Sequence, residues 1–385
     1  DILNIVRIGD KMKSLIENFS NLDDNSKKKL KLFGIGLIVI IILIIVISII
    51  VAIINRKTSY EDMEVIMEKA AYDYYQNNLS QLPTESVKTS VVSAQTLTDQ
   101  EYMKSIEKYT KDSSCTGNVV VTYVNGDFDY QGYLTCSSFV TSLLNEKIKK
   151  DNAIVTTGAG LYDEEGTLRF RGERVNNYLK VNDQLYRIIK LDSNGNIYIT
   201  PQDMDDMDET LYVYWDDRYN SEEKSNCGIN DFSLSRIKDS LETIYNNLDK
   251  DLKLKTVNFN ACVANRDSKD VNSTGAIECS KVIENSKISL IPVYEYMKAS
   301  ISPACTTPSS RECKNYNYLY NDDMSWWTNT GDTANTDKIY AVNYNGEIER
   351  ERGNSRKLAR YVVALKDNTV LNKGNGTESK PYTIR

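Results

Sequence analysis

LFGIGLIVIIILIIVISIIVAII, residues 32–54, runs for 23 positions without a charge. At about 1.5 Å of rise per residue, a helix of that length matches the ~30 Å hydrocarbon core of a bilayer. The stretch is too long and too apolar for the core of a cleaved signal peptide, and no small-residue cleavage site follows it. It predicts a single-pass transmembrane helix over 32–55 carrying a large α+β ectodomain. The lipid bilayer is then one partner of the chain.

Working outward, Lys27, Lys28, Lys29 and Lys31 flank the apolar run on one side, and only Arg56 and Lys57 on the other. The excess of cations places residues 1–31 in the cytoplasm and the rest outside the cell membrane. Cysteine usage agrees, because all seven cysteines lie beyond the run, on the side where disulfides persist. Ile2, Ile5, Val6, Met12, Leu15, Ile16 and Phe19 recur at helical spacing and predict an amphipathic helix in the cytoplasmic tail. The tail carries seven basic and five acidic side chains, about +2, so the remainder carries about −9 for the whole chain to total −7. An acidic outer part disfavours nucleic acid as a partner. There is no histidine, which removes Ser-His-Asp and Cys-His catalysis and His-ligated zinc.

Residues 56–150 read as a membrane-proximal module. A helix capped by Thr58 or Ser59 presents Met63, Ile66, Met67, Ala70, Ala71 and Tyr74 on one face. A second short helix is expected from the capping-box spacing of Thr98 and Glu101. Asn125-Gly126 between two β-branched and aromatic runs is a two-residue hairpin signal. Paired positions across such a turn sum to 251, and so do Cys115 and Cys136, which predicts a cross-strand disulfide. Residues 151–385 are long enough for one sizeable core. Strands are expected over Asn177 to Lys190, Ile197 to Ile199, Ile288 to Ile291 and Tyr361 to Leu365, a helix over Ser233 to Leu248, and a hairpin at Asn345-Gly346.

The order of Gly160-Leu161-Tyr162, Phe170-Arg171-Gly172, Tyr186-Arg187-Ile188-Ile189, Ser289-Leu290-Ile291-Pro292, Ser325-Trp326-Trp327-Thr328 and Gly374-Asn375-Gly376-Thr377 resembles a family of uncharacterised cell-surface domains from gut Firmicutes. That family resembles in turn the C-type-lectin-like fold of the formylglycine-generating-enzyme superfamily. The resemblance covers about residues 155–385 and implies a lectin-like distal domain that binds rather than catalyses. Residues 56–140 are similar to pilin-type stalk modules, although the prepilin processing motif is absent.

Four kinds of candidate site follow. Asp203, Asp205, Asp206 and Asp208 cluster carboxylates that suit calcium but lack the spacing of an EF-hand, so a solvated acidic loop is the favoured reading and no cofactor is expected. Trp215, Trp326 and Trp327 are candidate ligand contacts, although core packing is the favoured reading and adjacent tryptophans in a strand point to opposite faces, so at most one of Trp326 and Trp327 is expected at the surface. Cys262 with Cys279 and Cys305 with Cys313 are the remaining sequence-local disulfide pairs. Cys227 is left over, free or available to bridge a homo-oligomer. These features together predict a non-enzymatic surface protein for adhesion or recognition of a protein or glycan. The alternative is a structural subunit of an envelope-spanning or pilus-like assembly.

Overall fold

The computed structural model describes Asn25, Lys28, Leu32, residues 40–46, 57–204, 208–271 and 274–385. Among these residues no helix is long and apolar enough to cross a membrane. The expected single-pass span over 32–55 is therefore corrected, and with it the membrane localisation inferred from hydropathy and flanking charge. Within that span only Leu32 and Ile40–Val46 are described, all helical, and the remainder lies outside the described residues. The expected amphipathic helix over residues 2–19 also lies outside them.

Residues Tyr60–Lys108 and Asp112–Arg385 form one compact unit. Its first helix, α1 (Tyr60–Asn77), begins with Glu61 and Asp62, whose charges complement the helix N-terminus, and buries Met63, Met67, Ala70, Ala71 and Tyr74. After it come β1 (Thr89–Ser93), α2 (Ala94–Asp99), β2 (Thr116–Val124) and β3 (Asp127–Thr135). Ser93, not Thr98, caps α2, accepting from the Thr96 N–H at 3.0 Å. The β2–β3 register pairs Val124 with Asp127 and Thr116 with Thr135 without interruption. Asn125 and Gly126 both have positive φ, 51° and 94°, as a type I′ turn requires. Cys115 and Cys136 close the open end of this hairpin as a disulfide. A methyl group at Gly117 or Gly132 would sit 2.7 Å from the Met67 sulfur or the Glu64 carbonyl oxygen, so the missing Cβ atoms let α1 lie close on the sheet. The β1 edge, paired Thr89 to Thr122, completes three strands.

Beyond α3 (Leu144–Asp151) the chain is mostly β. The larger sheet comprises β4 (Gly160–Glu164), β5 (Thr167–Arg171), β6 (Tyr178–Val181), β7 (Gln184–Leu191) and β8 (Ile197–Pro201). Its later members are β10 (Thr256–Val257), β13 (Ser289–Leu290), β18 (Tyr361–Leu365), β19 (Leu371–Lys373) and β20 (Tyr382–Ile384), in the central order β10-β18-β8-β7-β6-β20-β19. A second sheet runs β16 (Ile348–Arg352), β15 (Lys338–Val342), β14 (Trp326–Gly331), β17 (Arg356–Leu358), β9 (Tyr212–Tyr214). Helices α4 (Ile237–Asn247), α5 (Lys250–Lys255) and α6 (Val293–Ala299), with the β11 (Phe259–Cys262) and β12 (Val282–Ser286) ribbon, complete the unit. This predominantly β architecture replaces the α+β arrangement expected from sequence.

One apolar core draws on both large sheets and includes Phe170, Ile188, Leu241, Tyr296, Trp326 and Val363. The three-stranded sheet is tied to the residues beyond it by buried charge. Asp129 accepts from Lys255 at 2.6 Å and from Lys366 at 3.2 Å, while Arg385 reaches Glu64 at 2.9 Å.

Candidate binding cleft

A cleft of about 660 Å³ opens beside β6 and β7, lined by Tyr178, Arg187, Gln202, Tyr316, Tyr318 and Tyr320 among others. Its centre follows from strand register. The β6–β7 hairpin sets Tyr178 directly opposite Arg187, and cross-strand partners approach within side-chain contact. The Arg187 guanidinium lies 3.8 Å from the Tyr178 ring centroid and 5.0 Å from that of Tyr318. Asn177 fixes the arginine stem: its Oδ1 accepts from Arg187 Nε at 2.7 Å while its Nδ2 donates to the Ile188 carbonyl. Gln202 Oε1 accepts from Nη1 at 3.2 Å. Nη2 has no partner, and neither does the buried Tyr318 hydroxyl.

The opposite wall is the segment that follows the Cys305–Cys313 disulfide. Asn317 shapes it, donating to the carbonyls of Tyr296 and Cys313 and accepting from the Leu319 N–H. Tyr316 there has φ of 52°, an unusual left-handed conformation for an aromatic residue, and is 59 % exposed. Beneath the segment, Arg360 donates to the Leu319 carbonyl at 2.6 Å and packs over Trp326 at 5.3 Å. Burial holds the Arg360 guanidinium down to a pKa of about 10, with the like charge of Arg187 adding to the effect. Burial likewise raises Tyr318 to about 12, against the pull of Arg187, Arg169 and Arg360.

Other buried charges are closed upon themselves. Arg266 and Glu278 pair at 2.8 Å with neither side chain exposed. Glu295 receives both Arg169 and Lys190. Among the described residues these clusters pair each arginine with a carboxylate, whereas Arg187 and Arg360 are buried without a carboxylate contact.

The candidates named from sequence fall elsewhere. Trp215, Trp326 and Trp327 are all fully buried, which corrects their reading as ligand contacts. Alternation does not expose one of the neighbouring pair because β14 is buried along both faces. The Trp215 and Trp327 indole N–H groups donate at 3.1 Å to the carbonyls of Thr328 and Val213. Cys227, expected to be free or to bridge protomers, is free and buried within the chain. In the acidic loop, Asp203 accepts from Asn321 and Asp208 caps a turn through the Thr210 N–H and hydroxyl. Asp205 and Asp206 lie outside the described residues. The described residues bring together one group of metal-ligating types, Asp112 with Cys115 and Cys136, whose sulfurs are committed to the disulfide. Cys262–Cys279 is bonded too.

Arg187 and its tyrosines escaped the sequence reading. The signal was a cation set inside an apolar strand, between Tyr186 and Ile188-Ile189. The chain matches no protein-family model, no curated protein and no solved structure.

Proposed function

We propose that this chain is a non-enzymatic recognition protein whose cleft beside β6 and β7 binds a protein or glycan partner. The observation that carries this is the tyrosine-walled cleft itself. Tyr178 and Tyr318 pack on one buried guanidinium, Tyr316 and Tyr320 line the same cleft, and Tyr316 is exposed in a strained backbone conformation. Tyrosine offers a large, stiff contact surface with a polar tip, the composition favoured where proteins recognise partners. The disulfide beneath the Tyr316 segment supports the same reading, since a pre-organised wall loses less entropy on binding.

The test is a screen of the full chain against glycan and protein arrays, followed by Tyr316→Ala. Tyr316 is exposed, so its truncation leaves the core intact. Loss of an aromatic anchor costs about 2 kcal/mol or more, at least tenfold in affinity. No ligand on either array, with the purified chain assembling into ordered polymers, would transfer the assignment to a structural subunit.

A further inference from the structure

Four arginines of the unit are buried: Arg169, Arg187, Arg266 and Arg360. Arg169 and Arg266 each meet a carboxylate. Among the described residues Arg187 and Arg360 meet only neutral acceptors. A buried cation without a counter-charge is costly, and the cost is relieved by any anion that reaches it. Only Arg187 of these two lines the cleft. Its unpartnered Nη2 and the unpartnered hydroxyl of Tyr318 are the two unmatched buried polar groups of the cleft. The rim repeats the sign: Arg174 and Lys314 stand against Glu173, although the chain as a whole carries −7.

We infer that the cleft takes a glycan bearing a carboxylate, with the carboxylate seated against Arg187 Nη2 and the Tyr318 hydroxyl and the sugar ring against Tyr316. This rests on the recognition reading above and names its ligand class. A neutral hydroxyl could accept from Nη2 but would leave the guanidinium with only the more distant charges of Glu378 and Asp203, whereas a carboxylate in contact meets both needs in the planar geometry that guanidinium favours. The half-buried Tyr178 ring, 3.8 Å above the guanidinium, is the cover that turns aside to admit it. Arg174 and Lys314 attract the anion from solution, an effect that added salt screens.

The experiment titrates the full chain with a glucuronate-containing oligosaccharide, with its carboxyl-reduced neutral counterpart, and with inorganic phosphate. The acidic sugar should bind at least tenfold more tightly than the neutral one and weaken with salt. Arg187→Gln, which keeps amide donors but removes the charge, should abolish that preference, and the rim variant Arg174→Ala/Lys314→Ala should weaken binding several-fold at an unchanged melting temperature. The rim variant keeps the test decisive if Arg187→Gln does not fold. Equal binding of acidic and neutral sugars overturns the inference. Phosphate competing as well as the acidic sugar overturns the glycan assignment in favour of a simple anion site. If neither sugar binds, while Tyr316→Ala still abolishes capture of a ligand found by array, the ligand class fails and recognition stands. If Tyr316→Ala changes no binding at all, the recognition reading itself fails.

Discussion

Replacing Asp129 with Asn removes the carboxylate that directly receives two buried lysines at the junction between the hairpin sheet and the residues beyond it. Asp129 is 4 % exposed, and its two oxygens receive Lys255 Nζ at 2.6 Å and Lys366 Nζ at 3.2 Å, with side chains only 7 % and 13 % exposed. The second oxygen also accepts from Gln131 at 3.2 Å. Burial already pushes Lys366 below the usual lysine range, and the Asp129 carboxylate opposes that push. Without the carboxylate two buried ammonium groups face each other, and breaking one partner of a buried pair costs about 3–5 kcal/mol. At about 2.1 cal/mol/K per residue, a unit of roughly 320 residues unfolds with an entropy near 0.7 kcal/mol/K, so the expected fall in Tm is about 5 °C. Denaturation of the full chain, followed by tryptophan fluorescence and far-UV circular dichroism, measures the loss. Trp215, Trp326 and Trp327 all report from the large core, so a coincident shift of both signals shows that the junction transmits the damage. The companion variant Asp129→Leu/Lys255→Met/Lys366→Met should recover to within about 2 kcal/mol of the parent, because an apolar junction carries no stranded charge. A loss below about 1 kcal/mol for Asp129→Asn, or a triple variant weaker than the single one, would refute the reasoning.

Gly228→Ala should destabilise the chain by at least about 2 kcal/mol, since Gly228 has φ of +75° and an added Cβ would lie 2.0 Å from the Asp216 carbonyl oxygen; a measured Tm equal to the parent's would contradict it. Burial raises the Glu64 carboxyl to about 6, against hydrogen bonding from Thr141 and the charge of Arg385. The folded state therefore holds this proton more tightly than the unfolded chain, whose value is about 4.3, and stability should fall as pH rises between them. Glu64→Gln should flatten that window in urea midpoints taken from pH 4 to 7. Cys227 should resist a thiol reagent in the native state and yield one equivalent after denaturation without reduction, because the other six cysteines are bonded; stoichiometric labelling of the folded chain would disprove its burial.

What was legible in sequence was what local geometry controls. A two-residue turn sets the parity of every pair in its hairpin, so Asn125-Gly126 alone placed Cys115 opposite Cys136. The terminal apolar run Tyr361–Leu365 is a strand, and the four-three-four spacing of Ile237, Leu241, Ile244 and Leu248 marks α4. The hairpin expected around Asn345-Gly346 is present as well, with Ile339 opposite Glu351 and Val342 opposite Ile348. The tryptophans were unreadable because alternation tells which face a side chain takes, not whether another layer covers that face. Arg187 was hidden for a related reason. Its meaning lies in Tyr178 across the ladder and Tyr318 from a distant segment, and neither is visible from its own neighbours. The apolar run at 32–54 was weighed by length, hydropathy, flanking charge and the one-sided cysteines, and no described helix carries that reading.

The placement of β20 has a consequence for how the chain reaches this state. Tyr382–Ile384 slots between β6 and β19, parallel to the former, so the large sheet stays gapped until residue 384 has left the ribosome. Arg385 then touches Glu61 and Glu64, more than 300 positions upstream. Closing the sheet therefore waits on contacts that join residues more than 300 positions apart, and such non-local pairings form slowly. The three cystine loops, with partners 21, 17 and 8 positions apart, can oxidise well before that moment. A chain can thus carry correct crosslinks while the seam is still open, and deleting β20 would strand an otherwise well-oxidised protein short of its native state.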